Sequence, residues 1–126
     1  LKHFNKLANV FGINFSNKGR NFVQGDQFDT GAVEVPANNE VFKTAKKLYL
    51  KEISIIETKA PAKPLITKEN DVIIATAKYG KGTVFAVGDP WLYNEYTDGR
   101  KLPAEYDNGK AAYDLAKWLL LQTAGK

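Results

Sequence analysis

The longest strand-like pattern in the chain runs from Val72 to Val87 and is interrupted once, by Gly80-Lys81-Gly82. Val72-Ile73-Ile74-Ala75-Thr76-Ala77-Lys78 and Thr83-Val84-Phe85-Ala86-Val87 are β-branched and aromatic runs of strand length, so the glycines between them predict a hairpin. Gly88-Asp89-Pro90 then ends the second strand: glycine admits unusual φ, proline lacks a donor, and an aspartate bonds back to nearby amides. Trp91, Tyr93, Asn94, Glu95, Tyr96, Asp98 and Arg100 follow. They are aromatic and polar together at the C-terminal end of a strand, where open α/β sheets place their sites.

The flanks are read from the same periodicities. Phe4, Leu7, Ala8 and Phe11 share one face of a helix over Leu1 to Phe11, which Gly12 closes in the left-handed conformation. Nothing precedes that helix to cap it, so the chain reads as the C-terminal portion of a larger protein. Ile13-Asn14-Phe15 predicts a short strand, and Ser16 to Thr30 a long loop with a short strand near Phe22. Ala32 to Val35 is extended and stopped by Pro36, Asn38-Asn39 is a turn, and Glu40 to Lys47 is expected to make a helical turn or two. Leu48 to Glu57 has strand composition, Ala60 to Pro64 is an extended connection, and Leu65-Ile66-Thr67 reads as an edge strand turning through Lys68 to Asp71 into the hairpin.

A last helix is predicted from about Gly109 to Gln122, with Asp107 or Asn108 as its N-cap. Ala112, Leu115, Ala116, Leu119 and Leu120 form its apolar stripe, with Lys110, Asp114, Lys117 and Gln122 outside it. Its N-terminus, expected near the Asp89 loop, would favour an anion by about 0.3–1 kcal/mol. No repeat or linker divides the chain. The expectation is one domain over residues 1–126, of α/β class, with a mixed β-sheet flanked by helices.

Composition narrows the function. At 126 residues and 44% apolar, the chain can bury a core without a metal or disulfide staple. With no Cys there is no thiolate nucleophile and no Cys-ligated zinc, and a lone histidine, His3, makes no metal site. No cofactor is expected, since Gly80-Lys81-Gly82 is too short for a phosphate-binding loop. The net charge of +4 is carried almost wholly by lysines, with only Arg20 and Arg100 offering the bidentate fork. No nucleic-acid-binding motif is present, so no nucleic acid is expected as a partner, while an acidic polysaccharide stays open. No apolar run approaches the roughly 20 residues that cross a bilayer, and no membrane partner is expected.

GKGTVFAVGDPWLYNEYTDGRKLPAEYDNGKAAYDLAKWLL, with HFNKLANVFGINF, PANNEVFKTAKKLYLKEISIIE and APAKPLI, carries a resemblance. The chain resembles the C-terminal part of the class I glutamine amidotransferase-like (flavodoxin-like) domain attached to Bacteroidetes unsaturated glucuronyl and rhamnogalacturonyl hydrolases, glycoside hydrolase families 88 and 105. That resemblance implies a periplasmic or extracellular parent glycoside hydrolase, acting in pectin degradation, whose catalytic acids sit on a separate domain of the same polypeptide. It implies an accessory role for this chain, in contact with that catalytic domain or with an acidic oligosaccharide. A domain lacking its first strands would also leave a sheet edge exposed to homodimerisation.

True class I amidotransferases use a Cys activated by His and Glu, where this chain has Asp89-Pro90-Trp91 after the strand and no Cys anywhere. Glutamine hydrolysis is therefore excluded, and no catalytic residue is assigned. The ligand-binding candidates are Asp89, Trp91, Tyr93, Asn94, Glu95, Tyr96, Asp98 and Arg100. Asp89 can bind a metal or sugar hydroxyl or serve as a turn or cap residue; the aromatics can stack on a sugar ring or lock a loop; Arg100 with Asp98 and Glu105 can bind a uronate or form an internal ion pair. The alternative class is a glycosidase or esterase fragment using Asp89, Glu95 and Asp98 as its carboxylates.

Overall fold

The computed structural model describes residues 1–89, 92 and 102–124. Its elements, in chain order, are α1 (Lys2–Ala8), a 3-10 turn (Asn9–Phe11), β1 (Ile13–Arg20), a second 3-10 turn (Phe28–Gly31), β2 (Ala32–Glu34), β3 (Lys47–Tyr49), β4 (Ile53–Thr58), β5 (Ala62–Lys68), β6 (Asp71–Tyr79), β7 (Gly82–Val87) and α2 (Asn108–Ala124). They gather into two compact units, each made of two separate stretches: Leu1–Arg20 with Ile53–Gly88, and Asn21–Glu52 with Asp89–Lys126.

The expected hairpin is the centre of the first unit. β6 pairs with β7 from Tyr79↔Gly82 to Ile74↔Val87, and with β5 from Ala62↔Ala77 to Lys68↔Asp71. A strand has two edges, so with β5 along one, β4 must meet Val72 through Ile56 on the edge that β7 uses. β1 pairs with β4 and ends the sheet, whose order is β1-β4-β6-β5 with β7 on β6. Ile73 to Ala77 are buried without alternation, the mark of a strand covered on both faces. The β5–β6 turn places Glu69 and Asn70 at φ 51° and 72°, the double positive φ of a two-residue hairpin whose twist matches its strands. Arg20 ties the end of β1 to that turn, donating to the Lys68 carbonyl at 2.6 Å and to Asp71 at 2.9 Å, with Glu69 at 3.2 Å.

α1 lies on the open edge of β1. The Asn5 side-chain amide donates to the Phe15 carbonyl at 2.9 Å and accepts the Phe15 N–H at 2.8 Å. Gly12 takes the left-handed φ of 80° that its position predicted, and any Cβ there would lie 2.0 Å from the Lys59 carbonyl oxygen. The expected apolar face of α1 is corrected: Ala8 is buried and Phe11 partly so, but Phe4 and Leu7 are exposed. The helix tightens into the 3-10 turn after Ala8, which carries Phe11 off the Phe4–Leu7 line, and Asn5 takes the sheet-facing position. Gly88 also differs from its reading. Its φ is ordinary, and glycine is required because a Cβ would sit 2.5 Å from the Ser54 carbonyl oxygen.

In the second unit β2 and β3 form a two-stranded antiparallel sheet on which α2 packs. Leu48 to Glu57 is not one strand: Glu52 adopts φ 53°, which breaks the extended run, and the halves on either side belong to different units. Glu40 to Lys47 forms no helix. Asn39 Oδ1 accepts the N–H groups of Val41 and Phe42, an Asx turn that competes with helix, and Phe22 lies in no strand. α2 is also rotated relative to its predicted face. Ala111, Asp114, Leu115 and Trp118 are buried, spaced i, i+3, i+4, i+7, whereas Ala116 and Leu120 are exposed. The chain thus combines β-sheets with helices at its two ends, compatible with the α/β class expected. Every strand pair among the described residues is antiparallel, where a mixed sheet was expected; for β5, β6 and β7 the reason is that their two-residue turns cannot make a parallel crossover.

Candidate functional site

Asp89 belongs to a series of side chains that finish one edge of β3. In the register of the small sheet, the Leu50 N–H donates to Gly31 and the Val35 N–H to the Lys46 carbonyl, so Lys47, Tyr49 and Lys51 direct their backbone groups away from β2. Each outward amide has a side-chain acceptor. Asp107 Oδ2 accepts from Lys47 at 3.3 Å and from Lys46 at 2.9 Å, Asn108 Oδ1 accepts from Tyr49 at 2.7 Å, and Asp89 Oδ2 accepts from Lys51 at 2.9 Å. The carbonyls are met as well, Tyr49 by Asn108 Nδ2 at 2.9 Å and Lys47 by the Asp107 N–H at 2.7 Å. Three polar residues therefore stand where a third strand would pair.

The preceding segment is held the same way. Asp114, buried in α2, accepts the N–H groups of Thr44 and Ala45 and the Thr44 hydroxyl, each at 2.9 Å. This explains how a carboxylate sits on the inner face of a helix: three donors replace its water. Asn108 is fully buried for the same reason. Sequence reading assigned Asp114 to the solvent side and Asn108 to a cap. The signal that could have found them is the spacing of Asn108, Ala111, Leu115 and Trp118 along one helical face, which includes position 114.

Tyr106 sits at the mouth of an aromatic cluster that the sequence did not indicate. Its ring meets Tyr49 edge-on at 5.6 Å and Phe28 at 6.4 Å, while the Lys47 ammonium lies 4.8 Å above it. Burial, and then the carboxylates of Asp29 and Glu105, push the Tyr106 phenol up to about 12. At neutral pH it is a donor, directed at Asp29 Oδ1 at 3.5 Å.

A groove of about 220 Å³ borders α2, lined by Glu40, Val41, Lys43, Thr44, Tyr113, Asp114, Lys117, Trp118 and Leu121. Its base is Val41 and Trp118, both buried, and its rim carries the exposed Tyr113 and Leu121.

Asp89 is 4% exposed, and its carboxylate holds the Lys51 amide. The bond reaches an amide 38 residues earlier in the chain, not the nearby amides of a local turn or cap. Trp91, Tyr93, Asn94, Glu95, Tyr96, Asp98 and Arg100 lie outside the described residues, so the expectations placed on them are carried by sequence alone. His3 is exposed on α1. Among the described residues no group of three or more His, Cys, Asp or Glu is placed to hold a metal ion, and no helix is long and apolar enough to cross a membrane.

No family model and no curated protein matches the sequence. Among solved structures the chain is similar to one named mmIFT52 N-terminal domain, with a TM-score of 0.69 at 18% identity. The likeness covers 92% of this chain and 57% of that one, so the chain spans little more than half the length of the structure it matches. At that identity it is the fold that the two share.

Proposed function

We propose that the chain is a non-catalytic contact module, the accessory or carbohydrate-contacting part of a secreted glycoside hydrolase that acts on unsaturated uronic-acid oligosaccharides of pectin or rhamnogalacturonan. In this reading its body is a partial class I glutamine amidotransferase-like, flavodoxin-like domain. Its partners are the catalytic domain of the same polypeptide and an acidic oligosaccharide, in the periplasm or outside the cell.

The observation that carries the non-catalytic half is the use of Asp89. A carboxylate that is 4% exposed and accepts a backbone N–H holds the chain in place, and is poorly placed to take a proton from a substrate. The absence of any Cys supports it, since the amidotransferase reaction needs a sulfur nucleophile. The glycan half is supported by the resemblance and by the run of aromatic and charged residues from Trp91 to Arg100.

Isothermal titration with an unsaturated rhamnogalacturonan disaccharide, together with a turnover assay on the same sugar, tests both halves. Heat of binding without turnover, lost in Trp91→Ala, is the expected result. Turnover by the purified chain that disappears in Asp89→Asn would overturn the reading.

A further inference from the structure

We propose that the outer face of α2, with the 40–44 segment across from it, is a docking groove for an acidic amphipathic helix of a partner protein. The helix already spends one face on its own unit through Ala111, Asp114, Leu115 and Trp118. A second set remains outside: Tyr113, Leu120 and Leu121 are 64%, 69% and 61% exposed, spaced i, i+7, i+8. Single exposed leucines are ordinary, but Tyr113 and Leu121 line the rim of a groove, with Leu120 exposed next to Leu121, and such an apolar edge marks an interaction surface.

The groove sets the kind of occupant. Its volume of about 220 Å³ lies below the roughly 300–1,000 Å³ of pockets that enclose a whole small ligand. It suits one bulky side chain delivered by a longer polymer, the anchor of a helix laid in a groove. Val41, Trp118 and Leu121 would leave most hydroxyls of a sugar unpaired, which disfavours a saccharide here.

Charge sets the partner's sign. The exposed charges of α2 are Lys110 and Lys117, and its one carboxylate, Asp114, is buried and accepts three hydrogen bonds. Lys43 faces the groove from the opposite wall, and among the described residues neither Lys43 nor Lys117 is in an ion pair. Glu40 also borders the groove. An apolar anchor flanked by carboxylates would therefore be steered and held by Lys43 and Lys117.

The inference rests on the reading of the chain as a contact module, and names one of its surfaces. It is tested by fluorescence anisotropy on the full chain with a labelled helical peptide whose leucines repeat at i, i+3, i+4, i+7 and whose other face is glutamate. A glutamine-for-glutamate counterpart and a labelled oligogalacturonate are run beside it. The glutamate peptide is expected to bind, with an affinity at least about tenfold above the glutamine peptide, falling by a similar factor in the Lys43→Glu/Lys117→Glu variant. Leu121→Asp, an exposed position that leaves the fold intact by circular dichroism, is expected to abolish binding. No binding of the glutamate peptide up to about 1 mM, equal binding of the two peptides, or binding indifferent to both variants would each overturn the proposal. So would capture of the oligogalacturonate in place of the peptide. A negative peptide result leaves the disaccharide titration and turnover assay unaffected, so the two readings fail separately.

Discussion

The side-chain amide of Asn108 makes, on the backbone of Tyr49, both hydrogen bonds that a neighbouring strand would make: it accepts the N–H at 2.7 Å and donates to the carbonyl at 2.9 Å. Asn5 does the same on Phe15, at 2.8 and 2.9 Å. Each unit thus closes one strand edge with an asparagine from a helix. An amide side chain is suited to this because it carries one acceptor and one donor group, as a peptide does. An edge so occupied cannot template another strand at that residue.

Asn108→Ala is expected to destabilise the chain by about 2–4 kcal/mol, because it leaves a buried donor and a buried acceptor of Tyr49 unpaired. Asn108→Asp keeps an acceptor for the N–H and loses the donor to the carbonyl, so its loss falls between. Urea unfolding midpoints measure both. A loss under about 0.5 kcal/mol for the alanine variant would show that water replaces the amide without penalty.

Asn5→Ala frees both backbone groups of Phe15 on the strand that ends the five-stranded sheet. Self-association through β1 is expected to appear or strengthen with concentration in sedimentation velocity, the wild type associating less. Identical sedimentation of the two proteins at every concentration would mean that the edge is defended by other means, such as the irregular register between Phe15 and Gly19.

Thr76 is 3% exposed in β6, and its hydroxyl has no hydrogen-bond partner among the described residues. Thr76→Val keeps the branched shape and strand preference while removing a buried polar atom. The variant is expected to be more stable by about 1 kcal/mol in urea unfolding. A destabilised variant would indicate that the hydroxyl is satisfied.

Tyr106 links stability to alkaline pH. Its phenol is raised from 10 to about 12 in the folded chain, so the folded state holds the proton more tightly than the unfolded state. The stability this gives is complete below pH 10 and falls as pH rises from 10 toward 12. Tyr106→Phe is expected to flatten that part of the profile and to remove a step near pH 12 from a phenolate absorbance titration. An unchanged slope of unfolding free energy between pH 10 and 12 would refute the assignment.

The β5–β6–β7 meander was legible because everything that makes it is local: β-branched runs, a two-residue turn, and glycines where the chain reverses. Gly12 was legible for the same reason. Glu52 was not, since a glutamate at positive φ carries no cue of its own and is held there by pairing elsewhere, its N–H donating to the Asn21 carbonyl. Of the candidate site, the position of Asp89 at a strand end could be read, but its partner Lys51, 38 residues earlier, could not.

From local spacing and residue chemistry alone came the hairpins, the two helices and the turn residues, because each depends on neighbours a few positions apart. Which face of α2 turned inward, where the Leu48–Glu57 run broke, and what Asp89, Asp107, Asn108 and Asp114 bind were settled in three dimensions. A buried carboxylate or amide is tolerable only where donors and acceptors converge on it. Those partners, Thr44 to Lys51, are brought within reach by the folded chain and are invisible to any window along it.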